Sequence, residues 1–296
     1  MSNKLSEVDA RMASVHELES VVSAMRGIAA ARAREARGRL DGIRACAAMI
    51  GAAIGDALML GEREASPPVA DAGARADTHV VIVVCAEQGF VGTYNEHLID
   101  AAEHMPGAGA CDYFVIGGRG AAVADVHGLR IGWSAPMVAH ADEVAALASR
   151  MTEALYERLE TGRATRVTLL HAVPQLSAAI DIEQKSLLPF DFTRFELPAR
   201  GLAPLVTLAP RRLLAELAEE YVFAQLCEAL MLAFAAENEA RMRAMIAARA
   251  NVHDTLEQLT GDFRRLRQEE ITAEIVELSA GSPAVGTKRR EPRPPH

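Results

Sequence analysis

Apolar residues recur at alternating steps of four and three along the first part of the chain. No proline occurs from Lys4 to Leu60. The repeating positions are Ala29, Ala33, Ala36, Leu40, Ile43, Ala47, Ile50, Ile54 and Ala57, preceded by Val8, Met12, Val15, Leu18, Val22 and Met25. This spacing predicts a coiled-coil helix, locally overwound at the three-residue step from Val15 to Leu18. At about 1.5 Å per residue the helix would be about 85 Å long.

The C-terminal part carries a second stripe of the same kind. Arg211 to Leu278 is also free of proline. The repeating apolar positions are Met242, Met245, Val252, Leu256, Leu259, Phe263 and Leu266. Asn238 and Arg249 are the polar members, which in such seams fix the register of the pairing. Because neither helix can bury its stripe alone, the two are expected to pair as a long antiparallel coiled coil.

Between the two helices the pattern changes to short apolar runs that alternate with helical segments. The predicted strands are Thr78–Ala86, Asp112–Ile116, Arg166–Val173 and Ala179–Leu188, and the predicted helices are Tyr94–His104, Arg119–His127 and Ala141–Leu159. Such alternation predicts a parallel sheet covered on both faces. The fold class is therefore α/β, with a small α/β domain inserted between the two helices of the coiled coil.

Four parts follow from these patterns. They are an N-terminal coiled-coil helix (1–62), an α/β domain (77–200), a C-terminal coiled-coil helix (209–278) and a disordered tail (279–296) rich in proline and basic residues. The stretch Glu64–Asp77 contains Ser66-Pro67-Pro68 and is predicted to be a loop or linker.

Composition narrows the classes of function. Of 296 residues, 50% are hydrophobic and only 4% aromatic, which favours slender helices over a bulky aromatic core. The net charge of −9 argues against nucleic acid as a partner, because phosphate binding needs a basic field. The four cysteines form no C-x-x-C pair, and a reducing cytoplasm is expected. No targeting or membrane-spanning segment is predicted, so any membrane association would be indirect.

Several short patterns could bind a phosphate or a metal ion, but a purely structural role is favoured for each. Gly89–Gly92 and Gly117–Gly120 follow predicted strands, where Rossmann-type proteins bind phosphates, and Arg119 adds a basic group at a helix start. A tight turn is favoured in both places. His97, Asp100 and His104 share a helical face that could bind a metal, but solvated polar residues are favoured.

Cys85 and Glu87 are the two single residues that could act as a nucleophile or a general base. Cys85 lacks an adjacent base, and Glu87 as a general base lacks a partner. We therefore expect no catalytic residue, no cofactor and no metal.

A basic collar lies on the first helix. It consists of Arg26, Arg32, Arg34, Arg37, Arg39 and Arg44, offset by Glu35 and Asp41. A collar of this kind could meet an acidic partner, or it could be a solvated face with pairs within the helix. The charge pattern alone leaves both interpretations open.

Motifs at both ends of the chain resemble the gamma subunit of rotary, F-type ATP synthases. Ser23–Arg32 is similar to that family's "K-A-M-x-M-V-A-A-A-K" stretch, and Glu239–Met245 to its "E-x-x-A-R-M-x-A-M" segment. Arg267–Glu277 is similar to the signature "R-Q-x-x-I-T-x-E-[IL]-x-E". Gln88–Asn95 stands where the family has "[RQ]-G-L-C-G-x-[FY]-N".

The resemblance implies that the inserted α/β domain is Rossmann-like. It also implies a non-catalytic central-stalk rotor that couples ion translocation through a membrane ring to ATP synthesis or hydrolysis. The implied partners are the alpha and beta subunits of the catalytic head, the epsilon subunit and the membrane c-ring. The implied place is the cytoplasmic face of the bacterial inner membrane. The residues carried over as contacts with the head are Met25, Arg26, Arg267, Gln268, Thr272, Glu274 and Glu277.

Three departures from the family pattern indicate a divergent or alternative branch. Ala86-Glu87 replaces the family's usual Ser-Asp, and Val91 replaces the cysteine of the motif. Thr207 replaces an acidic residue that often precedes the last helix. Two other classes stay open at this point. One is a stand-alone α/β nucleotide-binding enzyme that dimerises through its long helices, and the other is a coiled-coil scaffold without rotary function.

Overall fold

The computed structural model describes residues 2–61, 78–175, 180–197 and 205–281. The helices are α1 (Ser2–Gly61), α2 (Tyr94–Glu103), α3 (Gly118–Val126), α4 (Val144–Glu160) and α5 (Pro210–Gly281). The strands are β1 (His79–Val84), β2 (Asp112–Ile116), β3 (Ile131–Ala135), β4 (Arg166–Val173) and β5 (Asp181–Leu188). The predicted linker Glu64–Asp77 and residues 282–296 of the predicted tail lie outside the described residues.

The chain divides into two compact units, and both long helices contribute to each. The terminal unit comprises the described residues of Met1–Ser23 and Ala247–His296, and the central unit those of Ala24–Ile246. The central unit contains the sheet and α2 to α4. The mixed α/β class with long N- and C-terminal helices is confirmed.

The sheet of the central unit has the strand order β3-β2-β1-β4-β5. The neighbours among β1 to β4 pair in parallel, whereas β5 runs antiparallel to β4. The expectation of an all-parallel sheet was therefore wrong. Only seven residues separate Val173 from Asp181, too few for the crossover of a dozen or more residues that a parallel return requires.

Strand β3 was missing from the sequence prediction. Its side chains alternate between half-buried and exposed positions, because it lies at the edge of the sheet. It therefore lacks the continuous apolar run that marks the buried strands β1 and β4. The predicted helices of the α/β region are confirmed to within a few residues, with a short 3-10 turn at Ala141–Glu143 preceding α4.

Alternate residues of β1 supply two separate cores, one on each face of the sheet. Val80, Ile82 and Val84 pack in a cluster with residues of α4 and with the 222–235 stretch of α5. Val81 and Val83 pack on the other face with residues of α2 and α3. The sheet is therefore covered on both faces, as predicted. One of its covering layers is the long helix α5 itself.

In the central unit α1 and α5 pair antiparallel along the predicted seam. Arg44 Nε lies 2.8 Å from Glu228 Oε1, and Arg37 pairs with Glu239, so the numbering of the two helices runs in opposite directions. The buried members of the α1 seam are Ala29, Ala33, Ala36, Leu40, Ala47, Ile54 and Ala57, with Ile43 and Ile50 half-buried. Five of the seven are alanines, whose small side chains let two helix backbones approach closely.

In the terminal unit the seam continues with one correction. Val22, Val252, Leu256 and Leu259 are buried, and Glu19 Oε1 lies 3.8 Å from Arg249 Nε. Leu18, predicted as a seam residue, is 50% exposed, whereas Glu19 is half-buried. The four-three spacing runs from Val15 through Glu19 to Val22. The predicted overwinding step is therefore absent, and a polar residue occupies the seam position.

By length and composition, one stretch of α1 within Lys4–Leu60 is apolar enough to cross a membrane. Alanine contributes part of this apolar character. Part of the helix packs against α5, since Arg44 pairs with Glu228 and Ile54 is fully buried in a cluster with Leu214. Composition alone is therefore weak evidence for a span here.

A buried ion pair on α5 holds the loop that follows β1. Arg241 Nη2 lies 2.5 Å from Glu237 Oε1, and both side chains are less than a tenth exposed. The guanidinium also donates to the carbonyl oxygens of Gly89 and Gln88, at 3.4 and 3.5 Å, and to Asn238 Oδ1 at 3.2 Å. Burial raises the pKa of Glu237, and the neighbouring Arg241 opposes that shift. Arg241 thus ties the α/β domain to the long helix.

His171 is buried between the sheet and the helix pair. It lies on β4 opposite Glu183 of β5 and is 1% exposed. Close by, Glu228 of α5 pairs with Arg44 and with Lys185 of β5, the latter at 3.8 Å. Burial lowers the pKa of His171, against the smaller effects of the Ala172 carbonyl and of Glu183. Burial therefore disfavours the protonated, charged form of the imidazole in the folded protein.

The close pairing of α1 with α5 predicts that Ala36 tolerates no larger side chain. Ala36 is 0% exposed, so Ala36→Leu should overpack the seam and lower the free energy of unfolding by about 1–3 kcal/mol. Ala31→Leu is the matched control, because Ala31 is exposed on the same helix. Equal effects of the two substitutions in thermal denaturation would contradict the pairing.

The buried ion pair of Arg241 with Glu237 predicts that the stability losses from substituting its two members are not additive. Arg241→Met leaves the Glu237 carboxylate buried without its partner, which should cost about 3–5 kcal/mol of stability. The double variant Arg241→Met with Glu237→Leu removes both charges and should be more stable than Arg241→Met alone. Chemical denaturation of the four proteins of this cycle measures the coupling, and additive losses would refute it.

His171 predicts a specific pH dependence of stability. Its folded pKa lies below the ordinary value of about 6.5, so on acidification the unfolded chain binds the proton first and stability falls. Above about pH 6.5 both states are neutral and the effect vanishes. His171→Gln should therefore show a shallower loss of stability below pH 6.5 than the wild type, and parallel curves would contradict the prediction.

Candidate functional site

Five of the residues singled out as contacts lie near the C-terminal end of α5, in the terminal unit. Arg267, Gln268, Thr272, Glu274 and Glu277 are all exposed. Gln268 and Thr272 are one turn apart and share a face, and the Thr272 hydroxyl donates to the Gln268 carbonyl at 2.8 Å. These side chains are accessible to a partner chain.

Large apolar side chains in the same segment are also uncovered. Every residue from Ile271 to Ser279 is exposed. The side chains of Ile271, Ile275 and Leu278, spaced by four and three, are 49%, 60% and 76% exposed. A continuous apolar stripe that no described residue covers is typical of a protein interface. Sequence periodicity alone placed the end of the seam at Leu266 and did not single out this stripe.

Met25 and Arg26 belong to the central unit and lie next to each other on α1. Both side chains are half-buried. Arg26 sits at a four-three position of the seam, three residues before Ala29, whereas the sequence prediction had assigned the seam to Met25. Both residues therefore remain candidates for contact with a partner, with their side chains partly engaged within the chain.

Three arginines of the basic collar of α1 make ion pairs within the chain. Arg39 pairs with Glu35 one turn away at 2.9 Å, as on a solvated helix face. Arg37 and Arg44 instead pair with carboxylates of α5. At least half of the collar therefore makes ion pairs within the chain, two of them between the long helices, and its charge is less available to a partner than the sequence suggested.

The carboxyl edge of the sheet, where Rossmann-like domains bind phosphates, is filled by the chain's own groups. Glu87 Oε2 accepts hydrogen bonds from the backbone N–H of Gly118 and of Met137, both at 2.8 Å. Tyr94 at the start of α2 donates from its hydroxyl to the Ala233 carbonyl of α5 at 3.3 Å. The backbone N–H groups of Gly118 and Met137 and the start of α2 are therefore engaged by contacts within the chain.

The glycines of this edge are needed for close packing. Gly117 has φ +98°, and a Cβ there would lie 2.6 Å from the Cys85 carbonyl oxygen. A Cβ on Gly120 would meet the Cys85 side chain. In the first glycine pair, Gly92 has φ +63° and Phe90 has φ +61°. The preference for tight turns over phosphate loops therefore agrees with the geometry.

Neither single residue weighed as a catalytic group is placed for that role. Cys85 is buried, and burial raises the pKa of its thiol far above the ordinary range, which keeps it protonated. Glu87 accepts two backbone hydrogen bonds, so its carboxylate is engaged. Phe90 was not singled out from the sequence, yet its ring is 66% exposed between the two glycines. In the sequence, the position of Phe90 within the Gly89–Gly92 turn was the only indication that its ring would be exposed.

The potential metal ligands that lie close together in the folded chain differ from the predicted set. Among the described residues, ligand atoms within 4.8 Å of one another belong to Asp100, Glu103 and His127. The predicted partners His97 and His104 are not in this group, and His104 Nδ1 lies 2.7 Å from the Asp100 carbonyl oxygen. The Glu103 carboxylate lies 3.2 Å from His127 Nδ1, an ordinary link between the ends of α2 and α3.

Curated relatives match nearly the whole chain. A gamma chain of ATP synthase from Fuscovulum blasticum is 26% identical over 294 residues, covering 95% of this chain and 99% of the relative. The ATP synthase gamma chain of Salinibacter ruber is 28% identical over 315 residues, with 95% and 98% covered.

Solved structures share the fold. A chain in the Euglena gracilis mitochondrial ATP synthase, in a cryo-EM structure of its OSCP, F1 and c-ring, has a TM-score of 0.61 at 12% identity. The match covers 98% of this chain and 99% of that one. A chain from the central stalk and c-ring of the Tetrahymena thermophila enzyme has a TM-score of 0.55 at 17% identity, covering 77% and 99%.

A family model described as ATP synthase matches residues 4–285, which is nearly the full length. The two curated relatives described above are gamma chains of this enzyme, and the chain therefore belongs to the ATP synthase family.

Proposed function

We propose that this chain is the central-stalk gamma subunit of an F-type ATP synthase. It couples ion translocation through the membrane ring to ATP synthesis or hydrolysis in the catalytic head, and it does no chemistry itself. The observation that carries the proposal is the uncovered apolar stripe on the last turns of α5, beside the polar residues Gln268 and Thr272. A single helix with such a stripe fits inside a ring of subunits that encloses it.

The mechanism follows from the asymmetry of that helix. Ile271, Ile275 and Leu278 present an apolar face, and the charged residues Glu269 and Glu277 lie on the opposite side of the helix. As the helix turns, each surrounding catalytic subunit meets a different face in succession. Differential contact energy then biases each catalytic site toward a different state, which is how rotation and chemistry are coupled.

The proposed contact set has two parts. On α5 it comprises Arg267, Gln268, Thr272, Glu274 and Glu277, all of which are exposed. On α1 it comprises Met25 and Arg26. These residues carry the motifs shared with the gamma family, and none of the seven has an ion pair within the described chain.

The place of the chain follows from the complex. Gamma chains belong to the membrane-associated ATP synthase, and we place this one on the cytoplasmic face of a bacterial inner membrane. Its partners are the alpha and beta subunits of the head, the epsilon subunit and the c-ring, so its membrane association is indirect. We divide the chain into a helix (1–62), an α/β domain (77–200), a second helix and a tail. The second helix, predicted as 209–278, extends to Gly281, so the predicted tail (279–296) is shortened at its start by three residues.

The proposal predicts that Gln268 and Thr272 act in coupling. The double variant Gln268→Ala with Thr272→Ala should lower ATP-driven ion pumping, relative to ATP hydrolysis, several-fold in membranes that carry the assembled complex. Its thermal denaturation should match that of the wild type, because both side chains are exposed.

Thr255→Ala with Gln258→Ala is the matched control, since it removes the same two residue types from exposed positions nearer the N-terminal end of α5. The control should pump as the wild type does. Unchanged coupling in the Gln268→Ala, Thr272→Ala complex would remove these residues from the contact set, and an equal loss in both variants would show a general effect on the helix.

A further inference from the structure

The carboxylate of Glu87 is held like a bound anion at the carboxyl edge of the sheet. One oxygen, Oε2, accepts from the N–H of Gly118, the first residue of α3, and from the N–H of Met137, just beyond β3. Both distances are 2.8 Å. Glu87 itself follows β1, so one carboxylate joins the loops that follow three neighbouring strands.

This position favours negative charge for two independent reasons. The first turn of a helix exposes backbone N–H groups and carries the positive end of the helix dipole, and α3 begins here. The second donor comes from a separate loop, so the two N–H groups converge from different parts of the fold. The Arg119 side chain lies exposed at the same helix start.

We propose that Glu87 is a built-in anionic ligand. It fills, with the chain's own carboxylate, a small-oxyanion site between α3 and the loop after β3, and it acts there as a positioning residue for the loop 87–92. That loop is fixed from the other side by Arg241, which donates to the Gln88 and Gly89 carbonyls. The exposed Phe90 is thereby presented in a defined place.

A direct consequence is that the site becomes available to a free anion only when the Glu87 side chain is removed. A small monocarboxylate such as formate has the same acceptor group and fits where the side-chain carboxylate was. The inference does not depend on the rotor function, because it concerns a contact within the central unit.

The test is chemical rescue in the full-length protein. Glu87→Ala should lower the Tm by about 5 °C, the scale expected for losing two charge-assisted hydrogen bonds. Added sodium formate should restore at least half of that loss in a saturable way, whereas sodium chloride at equal ionic strength should not. The wild type and Glu153→Ala, which removes an exposed carboxylate from α4, should not respond to formate.

A second variant separates charge from shape. Glu87→Gln keeps an oxygen acceptor for the two N–H groups but has no charge, so its Tm should lie between those of the wild type and Glu87→Ala. A Glu87→Gln protein as stable as the wild type would overturn the anionic role.

The proposal is also overturned if Glu87→Ala loses no stability, or if formate stabilises it no more than chloride does. If Glu87→Ala folds poorly, its refolding yield in formate against chloride gives the same decision. A higher yield in formate supports the proposal, and equal yields overturn it.

Discussion

The pairing of two alanine-rich helices is the contact on which the rest of this structure depends. Neither α1 nor α5 can bury its apolar stripe alone, and in the central unit the buried seam of α1 consists mostly of alanine. Small side chains keep the pair slender and let the backbones approach closely. Ion pairs such as Arg44 with Glu228 then fix the alignment of the two helices from the rim of the seam. A slender, stiff pair is what a shaft requires.

The α/β domain is built into this pair through its core rather than tethered to it. One face of the sheet packs directly on α5, and Arg241 reaches from that helix to the loop after β1. The edge that serves nucleotide binding in related folds is filled by Glu87 and by the contact of Tyr94 with α5. The domain thus combines a Rossmann-like strand order with contacts to the long helix at the carboxyl edge of its sheet.

Periodic features were predictable from the sequence, and contacts between distant residues were not. The seam from Ala29 to Ala57 and the buried strands β1 and β4 were read directly from spacing. The edge strand β3 lacked a continuous apolar run, and Leu18 was misplaced because a polar residue, Glu19, occupies the seam. The contact residues on α5 came from the resemblance to a family, since exposed polar side chains carry no periodic signal. The Glu87 contacts with Gly118 and Met137 span 31 and 50 residues and depend on the order of the strands.

The most direct test of the rotor assignment is to watch the chain turn. A visible probe attached through Val126→Cys, at an 85% exposed position of the α/β domain, reports the motion once the exposed Cys46 is replaced by Ser. The complex is immobilised through its catalytic head, and ATP is added. A rotor should carry the probe around in one direction and should stop when ATP is removed. An immobilised complex that hydrolyses ATP while the probe stays fixed would contradict the assignment.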